Sequence, residues 1–186
     1  MNAEHAPSPG EKHFPPFAVD AEFEAAADKR IAQYPEDKKR SAVLPLLHNT
    51  QHKFGYIAPE AIEWIASKLG IEPIQVLEVV SFYPGFRQSA PGKFHIRVCR
   101  TLSCAMAGSA ELMDKLEELT GADRSKCDPH HSPIAVSPDG TWSLEFAECL
   151  ASCGTGPVVL VNDDFHEDVP AEKAAELMEK YNSPAK

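Results

Sequence analysis

The sheet of this protein is decided by residues 94–121, which read FHIRVCRTLSCAMAGSAELMDKLEELTG. Apolar residues stand at every second position of the first five, which predicts a strand with one buried face. Apolar residues then recur at helical spacing after Ser109, and Gly121 ends that pattern. The stretch therefore predicts a strand, a connection that contains Cys99 and Cys104, and a helix that Ser109 caps.

Four more strands and a final helix are predicted downstream of this stretch. Residues 134–148 and 158–169 each contain two apolar runs separated by a polar turn, a pattern typical of a hairpin. Pro170 begins a last amphipathic segment, because proline suits the first turn of a helix. The order β-α-β-β-β-β-α indicates a small α/β sheet domain over residues 89–186.

The first half of the chain predicts only helices. Four segments carry apolar residues at helical spacing and have start or stop signals: 21–34, 38–52, 59–69 and 73–81. Pro45 interrupts the second segment, so this helix either begins late or kinks there. Residues 1–19 are rich in proline and predict an extended or disordered arm. This leaves residues 20–88 as a helical domain and gives the chain an α+β fold class.

The charge of the chain argues against nucleic acid and anionic membrane as partners. The net charge is −10, and residues 91–186 carry 16 acidic against 9 basic residues. Nucleic acid and anionic lipid both require a basic face. No apolar run approaches the roughly 20 residues that span a bilayer. The N-terminus has neither the apolar core of a secretion signal nor the character of a transit peptide, so we expect a cytoplasmic protein without direct membrane insertion.

Four of the five cysteines form two close pairs, Cys99-x4-Cys104 and Cys149-x3-Cys153. Each pair follows a predicted strand, so the four thiols face one space if those two strands are neighbours. In a reducing compartment, paired cysteines indicate metal or redox chemistry more often than structural disulfides. Cys127 stands apart from both pairs.

The spacing alone leaves three kinds of site open. A 2Fe–2S cluster is anionic and needs close backbone N–H donors, which the small residues around both pairs allow. Zinc is the main competitor, although structural zinc sites usually use more tightly spaced ligand pairs than the first pair here. Thiol–disulfide exchange is disfavoured because the sequence contains no Cys-x-x-Cys.

Several segments resemble the 2Fe–2S subunit of bacterial NADH:quinone oxidoreductase (respiratory complex I), in the thioredoxin-like ferredoxin family. The resemblance covers roughly Tyr34 to Tyr181 and fixes the domain order as well as the ligands. It is carried by these residues: Val98-Cys99-x4-Cys104 with Gly108-Ser109, Glu148-Cys149-Leu150-x2-Cys153, residues 39–48 (KRSAVLPLLH), Ser81-Phe82-Tyr83, and Asn162-Asp163-Asp164-Phe165.

The resemblance implies an electron-transfer subunit with a helical domain and a thioredoxin-like domain. Its one 2Fe–2S cluster would be held by Cys99, Cys104, Cys149 and Cys153. A partner flavoprotein subunit would bind FMN and NADH, and a larger iron–sulfur subunit would belong to the same complex. The complex would lie on the cytoplasmic face of the inner membrane. The equivalent subunit of an NAD-linked hydrogenase or formate dehydrogenase is one alternative, and a zinc-stabilised interaction module is another.

Some residues do not match the family pattern, and others have two alternative roles. Cys127 and the neighbouring His130-His131 match no ligand. Arg100 follows the first ligand; it either raises the reduction potential or points into water, and we expect the latter. We expect Pro157 to follow a trans peptide bond. Ser81-Phe82-Tyr83 are expected to pack in a core between the two domains, with a partner contact as the alternative.

Overall fold

The computed structural model describes residues 9–127 and 133–182. The first eight residues of the predicted arm and the pair His130-His131 lie outside the described residues. The chain divides into two compact units. One is Phe14–Ala90, and the other combines the described residues from 91 onwards with residues 9–13.

The first unit is built from four helices, as the sequence predicts. Their bounds are α1 Ala21–Ile31, α2 Val43–Phe54, α3 Pro59–Leu69 and α4 Pro73–Phe82. The Asp20 side chain caps α1 by accepting a hydrogen bond from the backbone N–H of Phe23 at 2.8 Å. Residues 36–42 form a 3-10 turn, so α2 begins late and Pro45 falls in its first turn. Gly70 ends α3 in the left-handed conformation, with a φ of 64°.

The expectation that Ser81-Phe82-Tyr83 pack in the core is wrong. Phe82 is 76% exposed and Tyr83 is 42% exposed. The buried residues of helix α4 are Val76 and Val80, which lie one helical turn apart on the same face. Phe82 lies two positions after Val80, which places it on the opposite side of the helix.

The second unit is a five-stranded sheet of order β2-β3-β1-β4-β5. The strands are β1 Phe94–Cys99, β2 Ala135–Val136, β3 Trp142–Ala147, β4 Val159–Val161 and β5 Asp164–His166. The central strands β1 and β3 run parallel, and every other neighbouring pair is antiparallel. Three helices complete the unit: α5 Leu102–Met106, α6 Ser109–Thr120 and α7 Ala174–Asn182.

Two local predictions in this unit need correction. Ser109 does not cap α6 but is its first residue, because Gly108 at the N-cap adopts a φ of 96° that glycine accommodates easily. Strand β1 is buried on both faces rather than one. Ile96 is fully buried in the apolar core, and His95 on the other face is only 2% exposed. His95 Nδ1 lies 2.8 Å from Ser143 Oγ on β3, so this face contains a polar contact.

The apolar core of the second unit lies between the sheet and helices α6 and α7. Its fully buried members include Ile96, Val98, Leu112, Met113, Leu116, Leu144, Val159, Val161 and Ala174. Burial of a large apolar side chain stabilises a domain by about 1.5–3 kcal/mol. In the part of the chain that the structure describes, no helix combines the length and apolarity needed to cross a bilayer.

We expect Gly92→Ala to destabilise the protein by about 2 kcal/mol through overpacking. A methyl group on Gly92 would lie 2.5 Å from the backbone carbonyl carbon of Trp142, at the start of the central strand pair. Backbone atoms cannot move aside as a side chain can, so the strands must separate. The free energy of unfolding from urea denaturation measures the effect.

Gly85→Ala is the matched control, because a methyl group at Gly85 meets no atom within 4 Å. Its free energy of unfolding should equal or slightly exceed that of the wild type. Equal stability of the Gly92→Ala variant and the wild type would contradict the packing argument.

Candidate metal centre

The parallel pairing of β1 and β3 brings both cysteine loops to one end of the sheet. Cys99 is the last residue of β1 and lies opposite Ala147, the last residue of β3. Cys149 follows Ala147 by two positions. The backbone N–H of Arg100 donates to the carbonyl of Ala147 at 3.0 Å, which extends the pairing beyond Cys99. The condition for convergence of the two pairs, that their strands are neighbours, is therefore met.

Cys104 lies within the short helix α5, in the connection that precedes α6. The helix begins directly after Thr101, whose extended backbone allows its carbonyl to accept from the N–H of Ala105 at 2.9 Å. Cys104 and Cys99 are each 2% exposed, and both pack against Val158. Two of the four candidate thiols are thus buried beneath the end of the sheet.

Cys149 and Cys153 are exposed. Between them Ala151 adopts the left-handed conformation, with a φ of 63°, and its N–H donates to Cys149 Sγ at 3.3 Å. Cys153 opens a single 3-10 turn, Cys153–Thr155. The site therefore has a buried side and a side that faces outward.

The two buried cysteines differ in the direction in which their pKa values are shifted. Burial alone would raise the pKa of Cys99, but hydrogen bonds from the Thr101 side chain and from the backbone of Leu150 and Thr101 lower that pKa below its ordinary value. The Cys99 sulfur lies 3.3 Å from Thr101 Oγ1. Burial raises the pKa of Cys104, and the neighbouring Cys99 adds to the rise, while a backbone hydrogen bond from Val158 opposes it.

These features fit an anionic cluster with four thiolate ligands. Such a cluster needs N–H donors directed at sulfur and backbone that can approach closely. Cys99, Cys104 and Cys149 each receive at least one backbone hydrogen bond. Within residues 9–127 and 133–182, no three or more His, Cys, Asp or Glu side chains are grouped to hold a single metal ion.

The backbone of Gly156 passes close to Cys104. A methyl group at this position would lie 3.2 Å from Cys104 Sγ and 3.4 Å from Cys104 Cα. The following peptide bond, Gly156-Pro157, is cis, so the trans expectation is wrong. The N–H of Val169 donates to the carbonyl of Pro157 at 3.1 Å.

Arg100 joins the two cysteine loops through an ion pair with Glu148. Arg100 Nε lies 3.1 Å from Glu148 Oε1, and a second guanidinium nitrogen binds the same oxygen. Both side chains are more than half exposed, at 57% and 61%. Arg100 is thus exposed, as expected, but its charge is balanced by a carboxylate from the other loop.

The carboxylate of Glu167 fixes the turn that contains Cys153, and no pattern of residue types predicts this contact. The hydroxyls of Ser152 and Thr155 both donate to Glu167, the latter at 2.5 Å. These two hydrogen bonds lower the pKa of Glu167. Glu167 is more than ten positions away from the turn in sequence, and only the folded hairpin brings it there. The role of Gly156 was visible only in general terms, as one of several small residues near the second pair.

Cys127 does not join the four other cysteines. It is partly buried against the apolar core of the sheet unit. Burial raises the pKa of its thiol, and the nearby carboxylates of Asp123 and Glu117 raise it further.

Comparison with known proteins identifies the family. A sequence model described as thioredoxin-like [2Fe-2S] ferredoxin matches residues 27–182. The chain belongs to this family. An NADH-quinone oxidoreductase subunit of Thermus thermophilus is 42% identical over 137 residues, 74% of this chain and 71% of the relative. An NADH-quinone oxidoreductase subunit of Rickettsia felis is 34% identical over 171 residues, 91% of this chain and 97% of the relative.

A solved structure agrees in fold. The NAD+-reducing [NiFe]-hydrogenase in the air-oxidized state superposes with a TM-score of 0.60 at 19% identity. The match covers 74% of this chain but only 22% of the hydrogenase chain. Together with the family membership, this confirms the predicted α+β fold with a thioredoxin-like domain. The family also confirms the predicted cofactor, a 2Fe–2S cluster, over zinc and over thiol–disulfide exchange.

We expect Gly156→Ala to reduce cluster content, because the added methyl group pushes Cys104 from its position. Gly154→Ala is the matched control, since a methyl group at Gly154 meets no atom within 4 Å. Iron and acid-labile sulfide per chain, together with the visible absorbance, measure occupancy. Equal occupancy and equal rates of cluster loss in both variants and the wild type would show that the close approach is unimportant.

We expect Arg100→Ala and Glu148→Ala to shift the reduction potential in opposite directions. Loss of the cation disfavours the extra negative charge of the reduced cluster and lowers the potential, and loss of the carboxylate raises it. Each shift should be on the order of tens of millivolts, because the groups are solvent-exposed. The double variant should return close to the wild type. Redox titration followed by electron paramagnetic resonance (EPR) gives the potentials.

Lys115→Ala serves as the control for these three variants, because Lys115 forms an exposed ion pair with Glu118 on helix α6. Its potential should equal that of the wild type. If Arg100→Ala produces no drop, the ion pair has no electrostatic influence on the cluster.

Proposed function

We propose that this protein is the electron-transfer subunit of an NADH:quinone oxidoreductase, with its cluster held by Cys99, Cys104, Cys149 and Cys153. The single observation that carries the ligand set is the parallel pairing of β1 with β3, which places both cysteine loops at one end of the sheet. Relatives named as subunits of NADH-quinone oxidoreductase support the choice of complex. We further propose residues 1–19 as an arm, 20–88 as a helical domain and 89–186 as the cluster domain.

The bound cluster supplies one-electron transfer, and the chain controls its environment. Cys99 and Cys104 provide the buried side, where Val158 excludes water. The N–H of Ala151 and the hydroxyl of Thr101 lie beside sulfur, where they stabilise negative charge. No side chain near the cysteines is required to act as a general acid or base, because electron transfer breaks no bond to hydrogen.

NADH oxidation belongs in this proposal to a partner flavoprotein subunit that binds FMN. The sequence of this chain contains neither a Gly-x-Gly-x-x-Gly motif nor a phosphate-binding loop. A larger iron–sulfur subunit would complete the electron path. The complex would be peripheral on the cytoplasmic face of the inner membrane, where its quinone-reducing part supplies the anchor.

A diaphorase role in an NAD-linked hydrogenase or formate dehydrogenase is the second candidate. The likeness to the NAD+-reducing hydrogenase is one of fold, at 19% identity. Identities of 32–42% favour the NADH-quinone oxidoreductase subunits. The proteins that purify together with this chain distinguish the two roles.

We expect the anaerobically purified protein to contain two irons and two sulfides per chain. Dithionite should produce an EPR signal of a reduced 2Fe–2S cluster. NADH alone should produce none, and NADH with the FMN-containing flavoprotein subunit of the same organism should restore the signal. Reduction by NADH without the flavoprotein would contradict the division of labour, and a colourless protein with stoichiometric zinc would contradict the cluster itself.

We expect serine at any one of the four proposed ligands to abolish or markedly alter the EPR signal, because an alcohol is a poor substitute for a thiolate. Cys127→Ser is the matched control and should keep both the iron content and the spectrum. An unchanged spectrum in a variant of one proposed ligand would remove that residue from the ligand set.

A further inference from the structure

Helix α5 exposes the two large apolar side chains of its sequence. Leu102 is 75% exposed and Met106 is 82% exposed, the latter the highest value among the exposed large apolar residues of the described chain. The two residues are four positions apart, so they lie side by side on one face of the helix. Cys104 lies between them in sequence and points to the opposite side, where it is 2% exposed.

The two cysteine loops around these side chains carry almost no charge. Residues 99–109 contain one charged residue, Arg100, and residues 147–157 contain one, Glu148. These two charges form an ion pair with each other. The chain as a whole is strongly charged, with 25% charged residues and a net charge of −10. The two loops that contain the four cysteines therefore carry no net charge and few charged residues, in a protein that is otherwise strongly charged.

A single exposed apolar residue is common on protein surfaces and needs no explanation. Two adjacent exposed apolar residues beside loops with almost no charge do need one. The cores of protein interfaces are depleted of charge and enriched in methionine and other large apolar residues. Leu102 and Met106 stand on the same short helix as a candidate ligand, at the end of the sheet where Cys149 and Cys153 face outward. Electron transfer weakens steeply with distance, so a redox partner must cover this outward-facing side.

We propose that Leu102 and Met106 anchor the flavoprotein subunit over the cluster. This inference rests on the proposed function and adds the contact by which the partner binds. The occupant that fits is a protein surface with an apolar, uncharged recess, because the two charges of the cysteine loops already neutralise each other. The contact couples affinity to electron transfer, since helix α5 positions a candidate ligand with one face and binds the partner with the other.

The test uses the cluster-containing full chain and the purified FMN-loaded flavoprotein subunit of the same organism. Leu102→Ser, Met106→Ser and the double variant are compared with the wild type. We expect each single variant to weaken binding by about tenfold and the double variant by more, as for truncated interface anchors. NADH-driven reduction of the cluster should fall in parallel at limiting flavoprotein, whereas the dithionite-reduced EPR spectrum should be that of the wild type.

Two further exposed apolar residues of the sheet unit provide matched controls. Leu119 on α6 is 40% exposed and Phe165 on β5 is 47% exposed. Leu119→Ser and Phe165→Ser should bind the flavoprotein like the wild type. Met106→Leu, which keeps an apolar side chain, should retain most of the affinity.

The outcomes separate the inference from the function on which it rests. If the wild type binds the flavoprotein and the double variant binds equally well, Leu102 and Met106 are not the anchor, while the proposed function stands. Equal weakening by the control variants also overturns the anchor. If the cluster-containing wild type neither binds the flavoprotein nor is reduced through it, the proposed function fails and the anchor with it. Self-association of the wild type that the double variant loses, without a change in flavoprotein binding, assigns the surface to a second copy and overturns the proposal.

Discussion

The parallel pairing of β1 with β3 is the constraint on which the site depends. Parallel strands end at the same edge of a sheet, so two loops that are far apart in sequence leave the sheet together. An antiparallel arrangement of the same strands would place Cys99 and Cys149 at opposite edges. The register also matters, because Cys99 lies opposite Ala147 and the backbone pairing continues through Arg100. The meeting of the two cysteine loops at one end of the sheet follows from this one contact.

The site balances two opposing requirements. Burial protects sulfur from water but disfavours negative charge, and the N–H and hydroxyl donors near Cys99 offset that penalty. Exposure of Cys149 and Cys153 gives a partner access, and it also opens the second loop to solvent. Glu167 fixes that loop through two hydroxyl groups, and the Arg100–Glu148 pair ties it to the first.

Periodicity and helix start and stop signals were enough to predict helices α1 to α4, α6 and α7 and strand β1, but not the short helix α5. These features depend on neighbours in sequence. The cis bond before Pro157, the exposure of Phe82 and the close approach of Gly156 to Cys104 depend on contacts between distant segments, which a pattern of residue types does not encode. Ser109 shows a local failure: its side chain suits a cap, but only Gly108 suits the backbone conformation at that point.

The long sequence separation between strands β1 and β3 has a consequence for synthesis of the chain. The helical unit, Phe14–Ala90, is one continuous segment and can fold as soon as it leaves the ribosome. Strand β1 must wait for β3, because Phe94 pairs with Trp142, far along the chain. Such long-range pairing is slow to form, and until it forms, Cys99 and Cys104 emerge without the second pair. If all four cysteines bind the cluster as proposed, iron and sulfide can be assembled into this protein only late in synthesis, after both cysteine loops have left the ribosome.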